Sequence, residues 1–406
     1  MKILHVMPYL PSLESGGPVR DYNILKCLTA SNIHSDVVCN ISRDYSQDYI
    51  SRIEHDLQIQ IHPTKYEDLS IFNKIKVITI DSMYPPIIYH NTSQHVNAIR
   101  LILENDPPDI LHVQHSVEAA PALHAAAEAS FDGCKVITMH NVDYLNVLRQ
   151  KQLNKNPLMR FAYSRAASGL KKHELSTLRE FDHIFVVSGL DKEIYVSHGL
   201  NPDKIDVIPN GVDCDHFDPS RIPDSVKFEH PCIFFMGKLS YKPNTFGIFN
   251  YLTEVHPIVK RHIPQVKLYI AGIGCPSWLK KELLKDNSVV LLGFVEDVRP
   301  YINGADVCIA PLQAGSGTRL KILEYMASGK PVVSTSIGSE GINVTNNKNI
   351  LIEDNWEDFA HKVVEVLKNK QLSQYIGDNA RDLVEVEYDW KIIVDNQVRV
   401  YKNLLS

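Results

Sequence analysis

The sequence predicts an α/β protein built from two doubly wound parallel-sheet domains facing a central cleft. Three observations predict it. Short Val- and Ile-rich runs alternate with helical patterns along the 406 residues, and several of these runs end in glycine or a polar residue. The alternation starts afresh near residue 232. A chain of this length is too long for one ordinary domain and comfortable for two.

The first set of strand-like runs is KILHVMPY (2–9), SDVVCNIS (35–42), KVITI (76–80), DILHVQHS (109–116), KVITMHN (135–141) and DHIFVVSG (182–189). Helical stretches such as GGPVRDYNILKCLTASN and AAPALHAAAEAS stand between most of them. Residues 44–75 are less periodic and read as an insertion or irregular connection. DKIDVIPNGVD (203–213) adds a short strand that closes on a Pro-Asn-Gly turn. The second set is CIFFMGKLS (232–240), VKLYIAGIG (266–274), VVLLGFV (289–295), DVCIAPL (306–312), PVVSTS (331–336) and NILIED (349–354). The closing helical run WKIIVDNQVRVYKNLL (390–405) has no strand to follow it. The expected organisation is an N-terminal domain over 1–195, a C-terminal domain over 196–385, and a final helix over 386–406.

Composition narrows the class of function. Hydrophobic residues are 44% and charged residues 22% of the chain, ordinary values for a soluble globular protein. The net charge of −6 gives no global field for nucleic acid. Seven scattered cysteines form no C-x-x-C pair, which argues against a zinc site and for a reducing compartment. MKILHVMPYL is too short for a secretory leader, and no run reaches the roughly 18 apolar residues of a membrane span. A cytosolic protein, or one lying against a membrane, is expected. No D-x-D stands at a convincing strand end, so neither a metal nor another cofactor is expected.

Open α/β sheets bind ligands beyond the carboxyl ends of their strands. In the first half those positions hold Gly16, Gly17 and Arg20, the region from His112 to His115, and His140 with Asn141. In the second half they hold Gly237-Lys238, Gly272 to Gly274, Gly293-Phe294 and the stretch GSGTRLKILEYMASGKPVVST (315–335). Gly315 and Gly317 let backbone approach a ligand, Ser316 or Thr318 can cap the following helix, and Arg319 offers a fork suited to phosphate oxygens. Cations at a helix start oppose the macrodipole, which makes sense beside a bound anion. The plain alternative is that Arg319 and Lys321 are solvated. Glu324 follows Thr318 by six residues, about 9 Å along a helix, in apolar company. It needs a partner, either ribose hydroxyls or Lys321 one turn back.

These residues resemble the family-4 retaining glycosyltransferases, which have the GT-B fold of two Rossmann-like domains. The resemblance runs through HVMPYLPSLESGGPVR, PPDILHVQH, KVITMHN, FDHIFVVSGLDKE, VIPNGVDCDHF and the block from LLGFVEDV to KPVVST, in order and spacing. It implies a nucleotide-diphosphate sugar (UDP- or GDP-sugar) bound mainly by the C-terminal domain. It implies a glycan or lipid-linked acceptor hydroxyl bound mainly by the N-terminal one, and a last helix that crosses back to it. The implied activity is retaining hexosyl transfer in surface polysaccharide or glycoconjugate synthesis. On the donor side it points to Gly16, Gly17, Lys238, Lys242, Asn244, Gly293, Phe294, Gly315, Ser316, Gly317, Thr318, Arg319 and Glu324. Catalysis would rest on His140, Lys238 and Arg319, and the acceptor side on Arg20, His112, His115 and Asn141.

Two departures from that family stand out. Ser316 occupies the place of the first glutamate of the usual pair, and the lysine usually found five residues after the first diphosphate-binding cation is Pro243, flanked by Lys242 and Asn244. Arg319 is the expected source of the displaced charge. Retention in such enzymes resembles a front-face process in which the leaving phosphate takes the acceptor's proton, so a glycosidase-type carboxylate pair is not required. A non-catalytic donor-binding subunit of a glycan assembly complex and a sugar-nucleotide epimerase remain as alternatives. Residues 149–172 carry seven basic side chains and no acidic one, interleaved with Leu, Met, Phe and Tyr. They read either as a peripheral contact with anionic lipid at the inner face of a membrane or as a solvated basic face.

Overall fold

Two parallel sheets organise the chain. A computed structural model describes residues 1–13, 16–41, 45–65, 93–153, 156–222, 226–315 and 317–406. The first sheet comprises β1 (Lys2–Met7), β2 (His34–Ile41), β3 (Gln60–Lys65), β4 (Ile110–Gln114), β5 (Cys134–Met139), β6 (His183–Val186) and β7 (Ile205–Val207). Their order across the sheet is β3-β2-β1-β4-β5-β6-β7. The second comprises β8 (Cys232–Met236), β9 (Lys267–Ala271), β10 (Val289–Gly293), β11 (Val307–Ala310), β12 (Val332–Ser334) and β13 (Leu351–Ile352), in the order β10-β9-β8-β11-β12-β13. Both are the doubly wound pattern, and each reverses direction beside its first strand, between β1 and β4 and between β8 and β11.

The strands are apolar on both faces because helices cover both faces. Along β8, Phe234 and Met236 pack into one core while Ile233 and Phe235 pack into the other. In β4 all five residues are buried. His112 is among them: its Nε2 pairs with Thr138 Oγ1 at 2.7 Å and its Nδ1 with the Tyr401 hydroxyl at 2.6 Å. This is a satisfied core histidine that anchors the last helix, which corrects its expected place on the acceptor side.

The chain divides into one unit of Met1–Pro209 with Val394–Ser406 and a second of Asn210–Ile393. The boundary therefore lies after Pro209 rather than after 195, because Ile205–Val207 pairs with β6 and belongs to the first sheet. The final helix is Trp390–Leu404 rather than 386–406, with its residues 390–393 in the second unit and the remainder in the first.

Part of the stretch read as irregular is regular. Residues Gln47–Leu57 form a helix that buries Ile50, Ile53 and Leu57, and β3 follows as the edge partner of β2. The lone Pro63 inside that strand masked the alternation, and an edge position is where proline is tolerated. The run at 76–80 lies outside the described residues. Among the described residues all seven cysteines are free, and no helix is long and apolar enough to cross a membrane.

Arg20, on the helix Gly16–Ala30, is 1% exposed and donates to the carbonyls of Ile208 at 2.8 Å and Pro209 at 2.6 Å. It ties the first helix to the end of β7 inside the first unit, which corrects its expected acceptor-side role. Burial pulls its guanidinium down to about 10, against the field of Asp21 beside it. Replacing it leaves two buried carbonyls without their donor, so Arg20→Met should lower unfolding free energy by about 3 kcal/mol. Urea unfolding followed by circular dichroism checks this, and a loss below about 0.5 kcal/mol would contradict the strut.

Candidate functional site

The carboxyl ends of β8, β9 and β10 lock together through backbone alone. The Gly237 N–H donates to the Ala271 carbonyl at 3.0 Å, and the Gly272 N–H to the Gly293 carbonyl at 2.7 Å. A Cβ on Gly272 would lie 2.0 Å from the Gly237 oxygen, so only glycine fits. Lys238 and Lys242 are exposed on the turn that follows, and Phe294 is 74% exposed beyond β10.

Across the switch point, the stretch after β11 turns through Gly315 and Gly317, both at positive φ, into the helix Leu320–Ala327. Arg319 occupies the N-cap position and makes no side-chain cap; its Nη1 folds back onto the Gly317 carbonyl. Thr318 therefore does not cap this helix, which corrects the expectation for it. Its hydroxyl, in a residue 8% exposed, has no hydrogen-bond partner among the described residues. Ser316 lies outside the described residues.

Lys321 is not solvated. It turns inward toward the end of β8, where its ammonium donates to Asn244 Oδ1 at 2.8 Å and sits over the Phe235 ring, 4.4 Å from the centroid. A Cβ on Gly237 would come within 2.6 Å of Nζ. Asn244 is itself held by a bond from its amide nitrogen to the Lys238 carbonyl at 3.0 Å. This asparagine thus orients the lysine, and its own amide nitrogen would lie 2.8 Å from a Cβ on Gly237. Burial, and then the neighbouring Arg319, lower the Lys321 ammonium to about 7, against the opposing field of Glu324. Burial likewise raises the Glu324 carboxyl to about 7, and Lys321 only partly offsets it. No ion pair joins them within 4 Å, and the Glu324 carboxylate makes no hydrogen bond among the described residues.

In the first unit the switch point carries imidazoles. His140, 8% exposed, pairs through Nε2 with Gln114 Oε1 at 3.1 Å and stacks on His115 with ring centroids 3.6 Å apart. His115 Nε2 is hydrogen-bonded to the Tyr9 hydroxyl. Gly17 is required here because a Cβ would meet that hydroxyl at 2.1 Å. Burial holds His140 well below the usual histidine range, with His115 and Arg20 adding to the effect. It is a neutral imidazole at pH 7. Asp21 Oδ1 lies 3.9 Å from His140 Nε2, and burial raises its carboxyl to about 7. Asn141 follows His140 at the end of β5 and is half-buried. Sequence reasoning missed Tyr9 and Asp21 as members of these clusters, and it placed Lys321 only as a helix-start cation or a partner of Glu324. The signals were slight: an acidic residue directly after Arg20, and a lysine one turn before Glu324.

The two doubly wound parallel sheets define a protein of the GT-B fold class. Family models match both of its units. Residues 17–216 match the model of Glycosyltransferase Family 4 and residues 230–369 that of Glycosyl transferases group 1. The chain thus resembles the group 1/family 4 glycosyltransferases in both of its units. It is 31% identical over 218 residues to an uncharacterised 44.6 kDa protein in the cps region of Klebsiella pneumoniae, covering 50% of this chain and 54% of that one. It is 30% identical over 245 residues to an uncharacterised glycosyltransferase of Methanocaldococcus jannaschii, covering 56% and 61%. The chain thus spans little more than half the length of these curated relatives. Among solved structures, a glycosyltransferase from Rickettsia africae superposes with a TM-score of 0.74 at 19% identity, over 100% of this chain and 98% of that one. Anabaena HepE in complex with UDP-glucose superposes at 0.67 and 14%, over 99% and 100%.

A carboxyl raised by burial binds its proton more tightly in the folded state than in the unfolded chain. Its stabilising contribution is complete below the unfolded value near 4.5 and is lost as pH rises through about 7. Glu324→Gln, which cannot ionise, should therefore melt several degrees above wild type at pH 8 and within a degree of it at pH 4.5. Differential scanning calorimetry at the two pH values reads the crossover. Equal melting at pH 8 would show that the carboxylate is not strained in the free protein.

Proposed function

We propose that the protein is a retaining glycosyltransferase working in the cytoplasm without a metal ion. It moves a sugar from a UDP- or GDP-sugar held by the second unit to a hydroxyl of a glycan or lipid-linked acceptor held by the first. Surface polysaccharide or glycoconjugate synthesis is its expected setting. The observation that carries this reading is Glu324, a partly buried carboxylate with no hydrogen bond among the described residues, on the helix that opens from the glycine turns at the β8/β11 switch point. Ribose hydroxyls are the donors such a carboxylate wants. Positive charge from Lys238, Lys242 and Arg319 would stabilise the leaving diphosphate, and neutral His140 would contact the transferred sugar. The solved structures of Anabaena HepE with UDP and with UDP-glucose, and the cps setting of the Klebsiella relative, support the donor class and the pathway.

A thermal-shift panel of UDP, GDP and ADP with their sugar conjugates, run in EDTA on wild type and Glu324→Ala, tests the donor. One nucleotide series should raise the wild-type melting point by several degrees at millimolar concentration and lose most of the effect in the variant. With that donor, proton NMR of the product of the purified protein should show the donor's anomeric configuration retained. Absence of any shift would overturn the reading, and a shift without turnover would favour a donor-binding subunit.

The basic segment supports a peripheral contact. On the helix Pro157–Leu178 the first turns expose Leu158 by 79%, Met159 by 43% and Phe161 by 65%, with Arg160 and Arg165 exposed between and beyond them. Apolar side chains interleaved with cations suit an anionic lipid interface. The protein should float with vesicles containing phosphatidylglycerol and not with phosphatidylcholine alone. Leu158→Ser with Phe161→Ser should abolish flotation without changing the melting point. Flotation unaffected by these changes would leave a solvated basic face.

A further inference from the structure

We propose that Lys321 is the residue that meets the leaving diphosphate of the donor, and that donor binding draws a proton from solvent onto it. The inference rests on the transferase reading and concerns the same site. The position five residues after Lys238, where a second cation would be expected, is Pro243, and the next residue, Asn244, carries no charge. The structure brings the missing cation from a different element. The helix Leu320–Ala327 sends Lys321 to the end of β8, and Asn244 holds its ammonium at 2.8 Å.

Three features make this a prepared cation rather than an incidental one. An ammonium has three donors, and among the described residues its one hydrogen-bond acceptor is Asn244 Oδ1, supplemented by the face of the Phe235 ring. It stands against Gly237, the one position at the strand end without a side chain to cover it, 2.6 Å from where a Cβ would be. Among the described residues no carboxylate neutralises it: Glu324, on the same helix, is not within ion-pair distance. Arg319 Nη1 stays on the Gly317 carbonyl, so Lys321 adds to the charge of Lys238, Lys242 and Arg319 at the strand end itself.

The charged groups around Lys321 are few. Arg319 precedes its helix and disfavours its protonation, while Glu324 on the helix favours it. From the β8 side come only Phe235 and the Gly237 turn, and from the helix Lys242–Asn250 the neutral Asn244, with Lys238 and Lys242 exposed nearby. Burial leaves the ammonium poised near neutrality in the free protein. A diphosphate placed at Gly237 adds two or more negative charges and restores the charged form. In the reaction the bond from the anomeric carbon to the phosphate oxygen breaks, and its electron pair stays on that oxygen. The charge so created falls beside the ammonium, which has already gained its proton.

The test is calorimetric titration of the full chain at pH 8 with UDP and, separately, GDP, each in HEPES and in Tris. The difference in heat between buffers gives protons taken up per nucleotide bound. Wild type should take up about 0.5–1 proton with the nucleotide it prefers. Lys321→Arg, which stays charged at all accessible pH, should bind that nucleotide with essentially no uptake. Lys321→Met, which keeps the contact with Phe235, should bind at least tenfold more weakly and lower kcat by about 100-fold or more. Nucleotide binding without proton uptake, and unchanged in Lys321→Met, would overturn this inference and leave the transferase reading intact. Failure of wild type to bind either nucleotide would overturn both.

Discussion

The second unit depends on a crossing of two backbones. Gly272 passes 2.0 Å, measured from its absent Cβ, beside the Gly237 carbonyl, and the strand ends of β8, β9 and β10 hydrogen-bond across the contact. Any side chain there would force the turns apart. Because none is present, the carboxyl end of β8 stays open, and Lys321 can reach it from the helix after β11. Parallel strands end flush with one another, so a doubly wound sheet concentrates such turns at its switch point. The site follows from the topology, and the glycines decide that backbone rather than side chains meets at these strand ends.

The first unit answers the same topology with different chemistry. At its switch point Gly17 makes room for the Tyr9 hydroxyl, and His115 and His140 stack beside it. Two imidazoles 3.6 Å apart cannot both carry charge, and burial keeps His140 neutral. The second unit instead gathers cations, two exposed on the turn after β8 and one buried. The proposed reaction uses this contrast, since a leaving diphosphate needs positive charge whereas a sugar hydroxyl needs neutral hydrogen-bonding groups.

Much of this was legible in the sequence, and the misses have physical causes. The strand runs from KILHVM onward were readable because buried parallel strands are apolar on both faces, which few other elements are. The edge strand Gln60–Lys65 was not, because its outward residues are polar and a proline interrupts the alternation. Arg20 and His112 were misread for a shared reason. A polar residue near a strand end has the same appearance in one dimension whether it faces ligand or plugs a carbonyl 188 residues away, as Arg20 does at Ile208. The pairing of Lys321 with Asn244 was not legible because it spans 77 residues of chain.

The sequence by itself determined the fold class, the family resemblance and the stretches that line the strand ends. Those properties follow from local periodicity, from glycine and from residue order, all of which one dimension preserves. The tertiary structure alone decided which polar residues are satisfied and which are not. It turned Arg20, His112 and Asn244 inward to bonded roles and left the Glu324 carboxylate without a hydrogen bond among the described residues. It also moved a lysine from one helix to the empty place of another. Those outcomes depend on distances between residues far apart in the chain, and such distances exist only once both sheets have formed.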